Sequence, residues 1–462
     1  MIKTLEKVPR RKFALREEGN SRLPKSVPII GIGGSAFSTF FLPTDEGKLS
    51  SSTVDLSFQQ LTVDNVHKNH PKVQEWISII KYAIIKWGIN FIDTAAWYGY
   101  GLSEVVIGYA LDEIFKETKT SRTDLIINTK IGRYDKEPIK QFDYSYYRTI
   151  EATKVSIQRM NCQYIDILQL HDPEYSPSIQ LLLDETIPAM IYCRDKLNLC
   201  RALGITGYPL QIQHEILVRS SQLQLTKKST TTFPSMIFDT SLTYCHFNLH
   251  DSSLFSTSNI DSDAYPNVED LDSSSFHYQE EEDNNNKISF ASFCYDNSIG
   301  LMAAAPYSMG LLTSKGHQPW HPASLDLRFA CKETQLYCDR YQVSLSSLAL
   351  LYALSQPAIA CTIVGMGSID EVDHACTIAC RFSNLKIEDC GYVKSQGIQR
   401  LPLTDTEQHV LSHVLDRENG PFAGVYKSGL YQWDGMVLAS QFWEQCPGGK
   451  VVAEAQMRIR IQ

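Results

Sequence analysis

Short, continuously apolar runs alternate with longer amphipathic ones over roughly 300 residues of this chain, and that alternation narrows the possible architectures. The apolar runs fall at 28–33, 90–93, 124–130, 164–170, 201–206, 235–245, 300–305 and 359–364. Trp76, Ile77, Ile80, Ala83, Ile84 and Trp87 recur at helical spacing. Further helices are predicted at 103–117, with Ser103 as its cap, at 146–160, 178–197, after Pro209, at 287–297, at about 334–355 and from near Ser368. Strands without polar alternation are covered on both faces, as in a parallel sheet. Eight such strand–helix units predict an α/β fold, the (β/α)8 TIM barrel. An open doubly wound sheet is the alternative, because periodicity does not separate closed from open. The reading is one domain over 1–462: a core at about 28–400, loop insertions, and a C-terminal extension at 400–462. Trp433, Phe442 and several glycines suggest that this tail is irregular and packed on the barrel.

Two stretches interrupt the pattern. Residues 43–70 are polar and turn-rich, as an inserted loop would be. Residues 250–286 are rich in Ser, Asp, Glu and Asn and bury too little apolar surface to offset ordering, so a mobile acidic insertion is expected. Gly31-Ile32-Gly33-Gly34-Ser35-Ala36 imitates a dinucleotide fingerprint, but Phe37 to Pro43 does not continue as a helix. A glycine turn that lets backbone at Gly33 approach a ligand is the better reading.

Totals exclude several classes. The net charge of −9, without a basic face, argues against nucleic acid and anionic membranes as partners. Ser347 to Met366 is broken by Ser355, Gln356 and Pro357 and does not read as a membrane span. Met1 to Arg16 lacks the apolar core of a secretory signal, and the twelve cysteines follow no framework spacing, so reduced thiols and a cytoplasmic location are expected. His374, Cys376 and Cys380, and Cys245, His246 and His250, lack zinc-site spacing, and no metal is expected.

The chemistry concentrates where strands end. Asp93 and Tyr98 follow one strand, Lys130 closes the next, and His171 closes the one after. A phenol titrates near 10 and is a poor base at neutral pH unless a cation stabilises its phenolate. Lys130 can supply that cation, Asp93 can hold it charged, and His171 can orient the substrate oxygen. Tyr98 would then exchange a proton with an alcohol or carbonyl oxygen while hydride moves at its carbon, and a nicotinamide is the natural hydride partner.

These residues carry a resemblance. Asp93-Thr94-x-x-x-Tyr98-Gly99, Ser103-Glu104, Thr129-Lys130, Asp166 to Asp172, Gly204-Ile205-Thr206-Gly207 and Pro306 to Leu312 resemble the aldo-keto reductase family from about residue 28 to 400. The resemblance implies a (β/α)8 barrel in which Asp93, Tyr98, Lys130 and His171 form the catalytic tetrad. It also implies cofactor contacts from Gly33, Thr206, Gly207 and Ser241, from the loop bearing Pro306, Tyr307, Ser308, Gly310 and Leu312, and from Gly365, Gly367, Ser368 and Glu371. Departures are a Gly where an Asn is usual (Gly207), Ser241 near a usual Gln, and Ala304 where an aromatic often stacks. Gly204 to Pro209, Thr243 to His246 and His321 to Arg328 are similar to a narrower branch, the NAD-dependent D-arabinose 1-dehydrogenases of fungi and L-galactose dehydrogenases of plants. That branch oxidises a sugar at C1 to the 1,4-lactone and feeds erythroascorbate or ascorbate synthesis. NAD is expected over NADP, because Gly365 to Val372 has no cation to pair with a 2′-phosphate and carries Asp370 and Glu371. The expected partner is a sugar, bound by a monomer or weak homo-oligomer, with the His321–Arg328 loop as a substrate cover. A general NAD(P)H-dependent carbonyl reductase and a cofactor-binding regulatory subunit with slow turnover are the alternatives.

Overall fold

In a computed structural model the described residues are 8–13, 22–41, 61–225, 236–256, 288–383 and 401–446, with 450 and 452. Eight parallel strands run in chain order as β3 (Ile30–Gly33), β4 (Phe91–Asp93), β5 (Ile126–Ile131), β6 (Ile165–His171), β7 (Cys200–Gly207), β8 (Thr240–Tyr244), β9 (Gly300–Ala304) and β10 (Cys361–Gly365). A preceding hairpin, β1 (Arg10–Lys12) and β2 (Ser26–Pro28), stands apart as a two-stranded antiparallel sheet. Strand β10 pairs with both β9 and β3, so the sheet is a closed (β/α)8 barrel and the open alternative is excluded.

Side chains alternate along each strand, so every second residue points into the lumen. The N-terminal half of the lumen is apolar, with Phe91, Ile126, Ile167, Ala202, Leu242, Met302 and Ile363 in one buried cluster. The hairpin closes this end: Phe13 joins the cluster, and a side chain at Gly300 would collide with its ring. Two residues further along β4, β5 and β6 the lumen turns polar, at Asp93, Asn128 and Gln169. The helices pack outside on the other strand faces, Trp76, Ile77 and Ile80 of Pro71–Trp87 lying in one large buried cluster with Ile30, Ile32 and Ile92.

Three sequence expectations need correction. The long helix expected at 334–355 is two, Leu325–Arg340 and Leu345–Ala353. Gln342 takes a positive φ of 56° between them, and the Ser344 hydroxyl accepts from Ser347 N–H to start the second. Helix Leu102–Glu117 is capped at Gly101 and not by Ser103, whose hydroxyl donates to the Gly34 carbonyl at 2.8 Å. The tail is helical over Asp405–Val414, Ala423–Lys427 and Gly435–Glu444; a Thr404/Glu407 capping box begins the first, and Asp434 caps the last. It packs on the barrel through Phe442, edge-on to Phe142 and Tyr175, and through the Trp433 ring stacked on Tyr208 at 4.7 Å. Most of the insertions expected at 43–70 and 250–286 lie outside the described residues.

Candidate active site

The C-terminal ends of β4, β5 and β6 bring Asp93, Tyr98, Lys130 and His171 to one corner of the barrel mouth. Lys130, 1% exposed, donates from Nζ to Asp93 Oδ1 and Oδ2 at 2.9 and 2.8 Å, to the Thr94 carbonyl at 2.7 Å and to the Tyr98 hydroxyl at 3.1 Å. Asn128 Nδ2 donates to Asp93 Oδ1 at 2.6 Å and fixes the carboxylate from below. The Tyr98 and His171 rings meet edge to face, centroids 6.2 Å apart. Tyr98 reaches this corner because the chain after Asp93 turns through Gly99 and Tyr100, both at positive φ, before the next helix starts.

Burial disfavours the Lys130 ammonium, but Asp93 and the Tyr98 oxygen outweigh it and hold its pKa above the ordinary lysine value. The Tyr98 phenol is also raised: burial lifts it, and Lys130 only partly counters that lift. The resting phenol is therefore protonated and not acidified as expected from sequence. Burial pushes His171 down to about 3, so the imidazole is neutral and offers one N–H.

A second charged group surrounds this corner. Arg133 Nη1 donates to Asp172 Oδ2 at 2.7 Å, and its guanidinium lies over the Trp97 ring at 4.0 Å. The Glu174 carboxyl accepts from Tyr208 N–H at 3.0 Å, and burial, then the Asp172 charge, raises it to about 8. Tyr244 ends β8 in register with Ala304 and feels the charges of Tyr98, Asp172 and Arg133, so its ring lines the same mouth. Sequence reading missed Arg133, Tyr244 and any role for Asp172. The available signal was position, since each lies at or just beyond a strand's C-terminal end.

The expected cofactor positions divide. Gly365 ends β10 under open space, where a Cβ would meet nothing within 4 Å. Gly367 and Ser368 lead into the N-terminus of helix Ile369–Cys380, capped by the Ser368 hydroxyl. That glycine ledge beside a helix N-terminus suits a phosphate-bearing ligand. Thr206 pairs in register with His171 at the lumen edge. The Pro306–Leu312 loop turns at Ser308–Gly310, but the Ser308 hydroxyl is bonded to His250 Nε2 at 2.8 Å and Leu312 is buried, so these two offer backbone and not side chains. Tyr307 is half-buried against the core and feels the charge of Glu371, which ties this loop to the ledge.

Three positions are closed. A Cβ at Gly33 would meet Val364 and Gly365 backbone at 3.0 Å, so this glycine serves strand packing. Gly207 is pressed against Glu174, and Ser241 faces away from the lumen, its hydroxyl donating to Gln213 Oε1 at 2.9 Å. Glu371 accepts from Gly367 N–H at 2.7 Å and from Lys315 at 2.6 Å, so a neighbouring loop brings a cation that the 365–372 segment lacks. Arg328 braces its own loop by donating to the Ala323 and His321 carbonyls. Among the described residues no group of His, Cys, Asp or Glu is arranged as a metal site, and no helix is long and apolar enough to cross a membrane.

A closed parallel barrel with an acid, a phenol, an ammonium and an imidazole at its C-terminal mouth defines a class of barrel oxidoreductase. The model of the aldo/keto reductase family matches residues 62–235 and 271–397, and the chain belongs to that family. The L-galactose dehydrogenase of Arabidopsis thaliana is 30% identical over 363 residues, 79% of this chain and 87% of that protein. The D-arabinose 1-dehydrogenase of Saccharomyces cerevisiae is 28% identical over 298 residues, 64% of this chain and 74% of that protein. An aldo-keto reductase of Bacillus halodurans, solved in its holo form, shares the fold with a TM-score of 0.51 at 20% identity, covering 88% of this chain and 96% of that one.

Proposed function

We propose that this chain is a nicotinamide-dependent sugar dehydrogenase that uses NAD to oxidise an aldose at C1 to its 1,4-lactone. The observation that carries the reading is the Lys130 ammonium, held in one place by Asp93 and the Thr94 carbonyl while touching the Tyr98 hydroxyl. Similarity to two sugar dehydrogenases supports the substrate class.

Asp93, Tyr98, Lys130 and His171 divide the work. Tyr98 takes the proton of the C1 hydroxyl, and Lys130 stabilises the phenolate that this transfer requires. Asp93 keeps Lys130 charged and aimed. Neutral His171 donates an N–H to the reacting oxygen and sets its orientation. Nicotinamide, when bound, would supply the acceptor for the hydride from C1. Thr206, the Gly365–Ser368 ledge and the backbone of the Pro306–Leu312 loop would hold the cofactor, with Tyr244 as an aromatic wall. The Lys315–Glu371 pair favours NAD, because a 2′-phosphate would have to displace Glu371 from Lys315 and sit beside Asp370.

Steady-state rates with a panel of aldoses and both cofactors test this. The expected result is sugar oxidation with a higher kcat/KM for NAD than for NADP. Fast NADPH-driven reduction of simple aldehydes with little sugar oxidation would replace this reading with a general carbonyl reductase.

A further inference from the structure

Asp172 stands one residue beyond His171, in a conformation that needs explaining. Its φ of 48° and ψ of 54° are left-handed, and Pro173 follows. A non-glycine residue before proline rarely adopts such angles, and strain of this kind persists only where surroundings enforce it. Here they do. Asp172 N–H donates to the Thr206 carbonyl at 2.8 Å, and the Tyr144 hydroxyl donates to the carbonyls of His171 and Asp172.

The result is a carboxylate with two differently employed oxygens. Oδ2 accepts from Arg133. Arg133 has few donors left for a ligand: with its amide oxygen turned to the guanidinium, Gln141 accepts from Nε at 3.0 Å and Nη2 at 2.8 Å. The Trp97, Phe142 and Tyr175 rings surround it. Arg133 is thus an anchor that fixes the plane of Asp172. Oδ1 faces His171 Nε2 at 3.5 Å, beyond a good hydrogen bond and wide enough to share a third group. The carboxylate stays ionised: burial opposes its charge, but His171 and Arg133 hold its pKa below the ordinary value.

We infer that Asp172 is a specificity-determining residue: its Oδ1 accepts the hydroxyl on the carbon next to the reacting one, while His171 donates to the reacting oxygen. This rests on the oxidoreductase reading above and deepens it. The site is then built for 1,2-diols and 2-hydroxyaldehydes, the groups an aldose carries at C1 and C2, and rejects substrates lacking the second oxygen. An anionic oxygen left facing an alkyl carbon goes without the hydrogen bond that the second hydroxyl supplies, a strong means of discrimination.

The test compares substrate pairs that differ by that hydroxyl: an aldose against its 2-deoxy analogue in oxidation, and glycolaldehyde against acetaldehyde in reduction. Wild type should favour the hydroxylated member by about a hundredfold in kcat/KM. Asp172→Ala should lower kcat/KM for the hydroxylated member by a similar factor, change the other less than about threefold, and bring the ratio near one. Asp172→Asn, which keeps a neutral acceptor, should fall between. Because each ratio is taken within one preparation, a reduced folded fraction cancels. A wild-type ratio near one, or equal losses on both members, overturns the inference. Discrimination between the two aldehydes without any aldose oxidation would refute the sugar reading alone and support Asp172.

Discussion

The barrel holds a buried cation at each end, and the two are satisfied in opposite ways. At the closed end, Arg11 is 1% exposed and donates to the carbonyls of Gln356, Ile359 and Leu354 at 2.9, 2.8 and 2.6 Å. At the mouth, Lys130 is equally buried but spends its donors on a carboxylate, one carbonyl and a phenol. Carbonyls cannot give or take a proton, so these bonds fasten the β1–β2 hairpin under the lumen. Two of the Lys130 partners can titrate, and the ammonium sets how readily they do. Burial alone does not mark a charge as functional; what it touches does.

Removing each cation separates the two roles most sharply. Lys130→Met should lower kcat by about a thousandfold and, by stranding Asp93, destabilise the fold by about 3–5 kcal/mol. Arg11→Met should lower thermal stability to a similar extent while the folded fraction keeps its kcat. Loss of turnover by folded Arg11→Met protein would dissolve the contrast.

The pH profile is the next discriminator. His171 is held at about 3 and stays neutral, so it contributes no limb near neutral pH. The Tyr98 phenol is raised, so reduction, which needs it protonated, should be flat from about pH 6 to 9. Oxidation needs the phenolate and should climb by up to about tenfold per pH unit over that range. An oxidation rate that levels off near neutral pH would mean that Lys130 lowers the phenol far more than burial raises it.

Glu174 extends the comparison to a carboxyl whose burial, with the neighbouring Asp172 charge, outweighs the Arg133 charge nearby. Its folded pKa of about 8 lies above the ordinary 4.5, so the folded state binds the proton more tightly than the unfolded chain. Its contribution is fully present below about pH 4.5 and is lost as pH rises toward 8. Glu174→Gln should make stability less dependent on pH across that window, with a gain on the order of a few kcal/mol at its upper end. Thermal melts at pH 5 and pH 8 check it. The smallest expected effect is at Lys315, 79% exposed and paired with Glu371. Glu371→Gln frees this lysine and should raise kcat/KM with NADP by about tenfold, with little change for NAD.

The barrel was readable because its strands are apolar on both faces, and Phe91 to Asp93 or Ile165 to His171 admit few other readings. The four chemical residues were readable because they close those strands. Less of the mouth was. Asp172, Cys245 and Ala305, each directly after a barrel strand, take positive φ values that no residue preference announces. Arg133 and Asp172 are paired across 39 positions, and Lys315 and Glu371 across 56, which periodicity does not reach. Ser241 was misplaced by one step of the strand alternation, which is enough to turn a side chain from lumen to outer face. The tail's helices were hidden by its glycines, although Thr404-x-x-Glu407 was a legible cap.

The most direct test is Tyr98→Phe, read in one preparation as NAD binding by fluorescence titration and as kcat for aldose oxidation. The account predicts a cofactor Kd within about threefold of wild type and a kcat lower by about a thousandfold, because only the proton transfer is removed. A variant that binds cofactor and turns over within about tenfold of wild type would contradict it, since Tyr98 would then not be the group that exchanges the proton.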